Sequence, residues 1–489
     1  RKTCLKTYYL DPAHYFSLPG FSWDAFLKMT KSKIELLQSR ELVDFFISKG
    51  TLRGGISTVS NLKYAKANNP LMPNYNEAKT LSYIMYYDVT NLYGFIMGNF
   101  PLPIRNIKFV LDIEKYESNI KKLFDEITES KSFIVEVDIE YPEHLHDQHS
   151  ELPFLPEHKF DRLIPNLYDK FNYKCHIETL KFCLENGLIL KKIHKIISFE
   201  QSLFISPYIQ LNTNLRNSSN CDLEKNIFKL NNNAVYGKTM ENVFKRKNYI
   251  FVSPNDRQIR KKLAMCQGEN FKKFTIITKD LCIIELKKNK LIFDKPMFIG
   301  FSILELSKLH MYKLHYSYFK TNFRKEAQLM YMDTDSLVYR FKSFDIYNKM
   351  CGKIFDFSVY PESFKRYSTS NKGILGLLKD EFCKYKGNFD TITEFVCIKS
   401  KCYYLKTNLG LQIGKCKGIS KQVKIDINNY KDCLFNDVKF SCNQKNFKSE
   451  KHKIYTVDIE KQAFDNNDIK RVNLNKFKTL PYGHYKLKK

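Results

Sequence analysis

Along the first fifty residues, Leu36, Leu37, Leu42, Phe45 and Phe46 recur at helical spacing and predict a mainly helical segment. Arg53-Gly54-Gly55 breaks that pattern. Residues 82–88 form a Tyr- and Ile-rich run that reads as a buried strand, and residues 131–139 alternate like another. Residues 141–165 read as a Pro- and His-containing loop. A helix is expected over 222–244, with Leu223, Ile227 and Leu230 as its buried stripe. Residues 274–294 read as a hairpin turning at Lys287-Lys288-Asn289-Lys290. Residues 302–320 read as a helix, and 328–342 as two strands around an Asp-rich turn. No internal repeat or low-complexity linker interrupts the chain.

The length of 489 residues leaves room for about three domains, or one enzyme with insertions. With 43% apolar residues, wholesale disorder is excluded. No apolar run is long enough for a membrane span, and no signal peptide opens the chain. The opening at Arg1 reads as the middle of a helix, so a longer parent product is expected. The 13 cysteines include no C-x-x-C pair, which argues against zinc ribbons and redox dithiols. Scattered thiols suit an intracellular, reducing compartment, nucleus or cytoplasm. The net charge of +28 changes the picture most. Such an excess is self-repelling, and a nucleic-acid partner would relieve it by counterion release. A solvated Lys-rich surface from an AT-rich genome is the plainer explanation of the same composition.

Three stretches carry candidate chemistry. Tyr331-Met332-Asp333-Thr334-Asp335-Ser336 places two carboxylates on a hairpin tip, where mutual repulsion favours a hard cation such as Mg²⁺. An ordinary acidic β-turn accounts for the same residues. Asp88 ends a predicted strand before Val89-Thr90-Asn91-Leu92-Tyr93-Gly94, where helix capping is the simpler explanation. If the two strands are neighbours, Asp88 can face Asp335, and three carboxylates with phosphate oxygens could hold two metals. On the 222–244 helix, Lys229, Asn233 and Tyr236 share one face beside Gly237. That face offers charge for a phosphate and a flat wall for a base, or it is simply wet.

Taken in order, these stretches resemble the motifs of family B DNA polymerases. Asp88 to Gly94 is similar to motif A (D-x-x-S-L-Y-P), with Asn91 for Ser and Gly94 for Pro. Lys229 to Gly237 is similar to motif B (K-x-x-x-N-S-x-Y-G), with Ala234 for Ser, and Tyr331 to Ser336 matches motif C (Y-x-D-T-D-S). Lys401-Cys402-Tyr403 resembles the K-x-Y primer contact, and Leu52-Arg53-Gly54-Gly55 the Y-x-G-G template loop of the protein-primed subgroup, with Leu for Tyr. The long intervals 95–228 and 238–330 leave room for insertions similar to that subgroup's terminal-protein regions 1 and 2, and the 274–294 hairpin resembles its strand-displacement element. Segments 10–15 and 481–485 also resemble virus- and transposon-encoded members.

The resemblance implies an α+β right-hand polymerase: an antiparallel palm sheet, helical fingers, a thumb and two insertions. The expected division is 1–50 helical remnant, 51–105 first palm part, 106–200 first insertion and 201–245 fingers. It continues with 246–298 second insertion, 299–410 second palm part and 411–489 thumb. Asp88 and Asp335 would be principal metal ligands, with Asp333 assisting and the Val89 carbonyl completing one site. Two Mg²⁺ ions, replaceable by Mn²⁺, would be the cofactors. Tyr93 would exclude a 2′-hydroxyl. Lys229 and Arg216 would contact the triphosphate, and Asn233, Tyr236 and Gly237 would line the nascent base pair. Arg53, Gly54, Gly55, Lys401 and Tyr403 would contact DNA. Partners would be primer-template DNA, dNTPs and a terminal protein, with a monomeric enzyme off the membrane, replicating a virus or mobile element.

The family's exonuclease motifs begin D-x-E and precede motif A. Here Asp138-Ile139-Glu140 and Asp458-Ile459-Glu460 both follow it, so they read as solvated acidic positions and no proofreading is expected. His144, His146, His149 and His158 with Glu143 and Asp147 lack structural-zinc spacing and read as loop. Trp23 reads as core, and the Lys-rich 415–453 stretch as a DNA-facing surface. Two rivals stand beside the enzyme: an inactive mobile-element remnant that binds DNA or terminal protein, and a reverse transcriptase, whose acidic pair is usually adjacent.

Overall fold

The computed structural model describes residues 1–288, 290–450 and 453–488. At its centre is a nine-stranded sheet, antiparallel at every pairing. The strand path runs Ser57–Val59, Ala327–Asp333, Ser336–Lys342, Ser82–Val89, Ile392–Lys399, Cys402–Thr407 and Gln412–Cys416. Leu378–Asp380 adds to Ser82–Val89, and Tyr64–Lys66 adds to Ile392–Lys399.

One face of the sheet rests on Lys313–Lys320, the π-helical continuation of the helix Met297–Tyr312. That helix is apolar nearly all round and almost wholly buried, as a helix inside a core must be. Phe319 seats its ring 4.3 Å from Tyr339. The other face closes on itself. Tyr331 and Tyr403 lie on strands separated by three others, yet their rings are 5.2 Å apart. The sheet therefore curls over an apolar cluster that includes Val59, Ile84, Val338 and Phe395.

The helices Leu18–Thr30, Ser206–Ser218 and Asp222–Thr239 pack together beside the sheet. Here the expected stripe is corrected. Leu223 and Leu230 are exposed, and the buried positions are Phe228, Asn231, Asn232 and Val235. Buried amides are tolerated when satisfied. Asn231 accepts from Ser22 Oγ at 2.8 Å and donates to Tyr8 Oη at 3.0 Å, and Asn232 accepts from Asn212 at 2.8 Å. The N-terminal pattern is corrected too. Leu36 and Leu37 lie in an irregular stretch, because Lys31 ends one helix in the left-handed region and Ser39 caps the next, Arg40–Ile47.

Two smaller sheets interrupt this frame. The first orders its strands as Leu102–Phe109, Ile189–Ser202, Lys131–Glu140 and Lys170–His176. The second orders Asn248–Val252, Leu281–Leu286 and Phe271–Thr278. Its hairpin turns at Lys279-Asp280, not at the expected 287–290 turn, whose Asn289 lies outside the described residues. After residue 411 come the helix Ile427–Asn436 and a long hairpin, Phe440–Glu450 with Lys453–Phe464. The final stretch leaves that region. Lys63 N donates to Phe477 O at 2.8 Å, and Leu167 N to Tyr482 O at 2.8 Å, so the last residues also tie 411–489 to both the central sheet and the first insertion. Among the described residues, no helix is long and apolar enough to cross a membrane.

Candidate active site

Strand register brings the acidic residues together. Ser336 pairs with Asp88 across neighbouring strands, and Val89 N donates to Asp335 O at 2.7 Å. The turn between Asp333 and Ser336 is tight: Asp335 N donates to Asp333 O at 2.7 Å and Thr334 takes φ +63°. Burial, and then the charge of Asp335, pushes the Asp88 carboxyl up to about 7. Burial, with Asp333 adding, raises Asp335 as well. Two such carboxyls want a cation between them.

Asp333 departs from the expected trio. Its carboxylate takes both close contacts of Lys401 Nζ, at 2.6 and 2.7 Å, and a hydrogen bond from Tyr331 Oη at 3.1 Å. Lys401 N donates to the same Tyr331 oxygen at 3.0 Å. Tyr403 is almost wholly buried, with its hydroxyl 3.2 Å from that of Tyr86. It supports the strand that carries Lys401 and offers little surface to DNA.

Sequence reasoning missed Lys379. It pairs with Asp88 in register and holds Nζ 3.6 Å from that carboxylate. Only the added strand Leu378–Asp380 places it there, and its local sequence carries no signal.

The two departures from motif A form one local solution. Asn91 takes φ +48° as the N-cap of Leu92–Asn99 and accepts from Gly94 N at 3.2 Å. A Cβ on residue 94 would lie 2.2 Å from Asn91 Nδ2, so this cap requires glycine there. The helix then presents Tyr93 to Tyr236, whose rings stack 4.4 Å apart at 28°. Burial, with the charge of Asp335 second, pushes the Tyr93 hydroxyl up to about 12.

On the facing helix, Lys229 is exposed and its charge acts on Asp335. Asn233 Oδ1 is buried without a hydrogen-bond partner, an acceptor waiting for a donor. Nothing stands within 4 Å of a Cβ on Gly237. Arg216 sits half-buried on the neighbouring helix, and among the described residues no contact joins it to the carboxylates.

The loop Arg53-Gly54-Gly55 underlies the acidic turn. A Cβ on Gly55 would meet Thr334 Cγ2 at 2.5 Å, and Thr334 N donates to Ile56 O at 2.7 Å. Gly54 is open, with nothing within 4 Å. Arg53 is turned inward, contrary to its expected role. Its guanidinium lies 3.6 Å over the Tyr173 ring and donates to Lys174 O at 2.8 Å, while Lys308 Nζ holds its carbonyl at 2.9 Å. Arg53 builds the loop and does not reach out from it.

From Asp333 and Lys401 a groove of about 760 Å³ runs along Lys415, Lys417, Lys421 and Lys424. Its charge suits a phosphodiester backbone.

Other candidates have structural partners. Asp138 pairs with His194 at 2.9 Å and Glu140 with Lys191 at 2.6 Å. His146 Nδ1 accepts from Tyr485 N at 3.1 Å, and Asp147 binds Lys486 at 2.5 Å and Tyr485 Oη at 2.7 Å. The expected loop is corrected: Glu143–Leu145 and His146–His149 are short helices and Glu157–Lys159 pairs with Arg162–Ile164, and the His-containing segment anchors the C-terminal one. Among the described residues, no group of three His, Cys, Asp or Glu side chains is placed to hold a metal. The residues at the turn that could hold a metal are the two carboxylates Asp88 and Asp335 with main-chain oxygen, a hard set that would fit Mg²⁺ completed by substrate phosphates.

A family model described as DNA polymerase type B, organellar and viral, matches residues 13–320. No curated protein matches. Among solved structures, phi29 DNA polymerase complexed with primer-template DNA and incoming nucleotide superimposes with a TM-score of 0.57 at 15% identity. That match covers 92% of this chain and 68% of that one. Its post-translocation binary complex with primer-template DNA gives 0.57 at 13% identity, covering 94% and 69%. At such identities the likeness establishes the fold, a right-hand arrangement of helices and antiparallel sheet.

Proposed function

The chain belongs to the organellar and viral type B DNA polymerases, a family of DNA-directed DNA polymerases, and from that premise we propose how its own residues carry out the reaction. The observation that carries the proposal is the convergence of Asp88 and Asp335, both pushed up by burial and by neighbouring carboxylate charge. The reaction is in-line attack of a primer 3′-oxygen on the α-phosphorus of a dNTP. A phosphorus–oxygen bond forms, the bond to the β-phosphate bridge breaks, and pyrophosphate leaves. When bound, two Mg²⁺ ions, or Mn²⁺, would supply activation of the attacking hydroxyl and charge for the leaving group.

The protein positions and neutralises. Asp88 and Asp335, with the Val89 carbonyl, would hold the metals. Asp333 acts one step removed, by fixing Lys401 beside the primer strand. Lys229 meets the triphosphate, with Arg216 further out on the neighbouring helix. The orphaned Asn233 oxygen and the Tyr236 ring face the nascent pair. Tyr93, braced by Tyr236, blocks a 2′-hydroxyl by steric exclusion. Gly54 and Gly55 let template approach the turn. A terminal protein at the 106–200 insertion, a monomeric enzyme, and a role in viral or mobile-element replication complete the proposal.

Primer extension on a DNA template with Mg²⁺, beside Asp335→Asn, tests it. Extension lost in the variant, with calorimetric Mn²⁺ binding weakened and salt-sensitive DNA binding kept, supports the assignment. Wild-type protein that binds primer-template yet extends nothing overturns it.

A further inference from the structure

The curled palm sheet has a second mouth. On paired strands, Ser336 opposes Asp88 at one end and Arg340 opposes Ile84 further along. The strand from Ser336 to Arg340 spans roughly 13 Å. The apolar cluster of Ile84, Val338, Phe395 and Tyr403 lies between the two ends. At the far end opens a cleft of about 760 Å³, lined by Lys66, Lys79, Arg340 and Lys406.

Its walls are fixed by hydrogen bonds. Asn68 Nδ2 donates to the carbonyls of Asn76 at 3.0 Å and Lys79 at 3.1 Å, and its oxygen accepts from Asn76 N at 3.0 Å. Asn408 Nδ2 donates to Leu71 O at 3.0 Å, which pins the same loop to the sheet. The cleft is preformed.

Its charge is only partly compensated: Glu394 stands opposite Lys66 and Lys406 in register across its two neighbouring strands, one carboxylate against four cations. Glu394 Oε1 is held by Lys431 at 2.6 Å and by Tyr64 Oη at 2.6 Å, which draws that carboxylate's charge partly away from the cleft. Among the described residues, none of the four cations forms an ion pair. Arg340 is the anchor. Its Nε is buried without a partner, and burial alone pushes the guanidinium down. Lys342 adds like charge beside it. An unpaired buried donor is costly, and the planar guanidinium fork matches a phosphate oxyanion.

We infer that this cleft is a second anion site, apart from the polymerase site, that takes a phosphate group from a nucleic-acid strand or from free inorganic phosphate. The test is lysine acetylation mapped by mass spectrometry on the full chain, with the polymerase site saturated by primer-template DNA. The added probe is a short single-stranded oligonucleotide in one arm and inorganic phosphate in the other. Acetylation of Lys66 and Lys406 is expected to slow about tenfold, with the protection lost in Arg340→Gln. Protection in the oligonucleotide arm alone identifies the ligand as a strand, and protection in both arms as the phosphate group itself. Primer extension by the variant stays at the wild-type rate.

Unchanged acetylation in both arms overturns the site, as does protection that survives Arg340→Gln. Protection already complete with primer-template alone makes the cleft part of the polymerase's own DNA path and also overturns it. Should Arg340→Gln fail to fold by thermal melting, the exposed double variant Lys66→Gln/Lys406→Gln replaces it. Its readout is anisotropy of a labelled oligonucleotide over the same primer-template background, where about tenfold weaker binding supports the site and unchanged binding overturns it.

Discussion

Gly55 and Thr334 lie so close that a Cβ on the glycine would sit 2.5 Å from Thr334 Cγ2. Thr334 separates Asp333 from Asp335, so the Arg53-Gly54-Gly55 loop and the acidic turn form one packed unit. Gly55→Ala is expected to push the turn aside and lower kcat roughly tenfold to a hundredfold, since small misplacements at a reacting centre are costly. Gly54→Ala, whose Cβ meets no protein atom within 4 Å, leaves the turn in place, so any effect it has is expected in template affinity and not in kcat. Single-turnover incorporation on a fixed primer-template measures both.

The carboxylates are expected to divide in their effects. Asp88→Asn and Asp335→Asn each lower incorporation by about a thousandfold, on the scale of lost transition-state charge stabilisation. Asp333→Asn costs less and acts through Lys401, whose contacts with it are 2.6 and 2.7 Å. Rapid-quench kinetics should therefore show Asp333→Asn and Lys401→Met sharing a raised apparent Kd for primer-template. Asp88→Asn and Asp335→Asn should leave that Kd near wild type.

On the role proposed for Tyr93, its stacking on Tyr236 makes sugar discrimination depend on both residues. Tyr93→Ala is expected to raise ribonucleotide incorporation relative to deoxyribonucleotide by about tenfold or more. Tyr236→Ala should move the ratio in the same direction by freeing Tyr93, whereas Tyr236→Phe keeps the ring and the ratio. Competing dCTP and CTP on one template reads this directly.

Asp380 is buried, accepts from Tyr360 Oη at 3.1 Å, and burial pushes its carboxyl up to about 7. Its pKa is raised on folding, so the folded state holds the extra proton. The stabilisation is full below about pH 4 and is lost as pH rises towards 7. Asp88, raised despite Lys379 beside it, adds the same slope while no metal ion faces it. Asp380→Asn should flatten the fall in Tm between pH 4 and 7 relative to wild type, and Mg²⁺ should remove the part due to Asp88. Scanning calorimetry across that range, with EDTA and with Mg²⁺, checks both signs.

The C-terminal clasp depends on Gly483, which takes φ +82° with Tyr168 N only 2.8 Å from the place of a Cβ. Gly483→Ala is expected to cost about 1–3 kcal/mol locally. Limited proteolysis should then cut the 481–488 segment faster, while the strand pairing around Asp88 keeps its hydrogen-exchange protection.

Much of this was legible in the residues. The strands at 82–88, 131–139 and 328–342 announce themselves by β-forming side chains and turn chemistry. Motif spacing pointed to Asp88, Asp335, Lys229 and Tyr236. Other features were hidden because they depend on distant partners. The burial of Arg53 is explained by Tyr173, and the burial of Asn231 by Tyr8 and Ser22. No local pattern marks a polar side chain that will find its hydrogen bonds more than a hundred residues away.

Local sequence, then, was enough for the kinds of element, the acidic turn, the chemistry that turn can support and the family it resembles. Periodicity and turn preference act over a few residues and survive in any fold. Pairing register decided the rest: Asp88 beside Asp335, Lys379 opposite Asp88, Lys401 drawn onto Asp333, and Arg340 left unpaired at the far mouth of the sheet. Register is set by long-range packing, and a shift of one residue would turn each of these side chains to the opposite face.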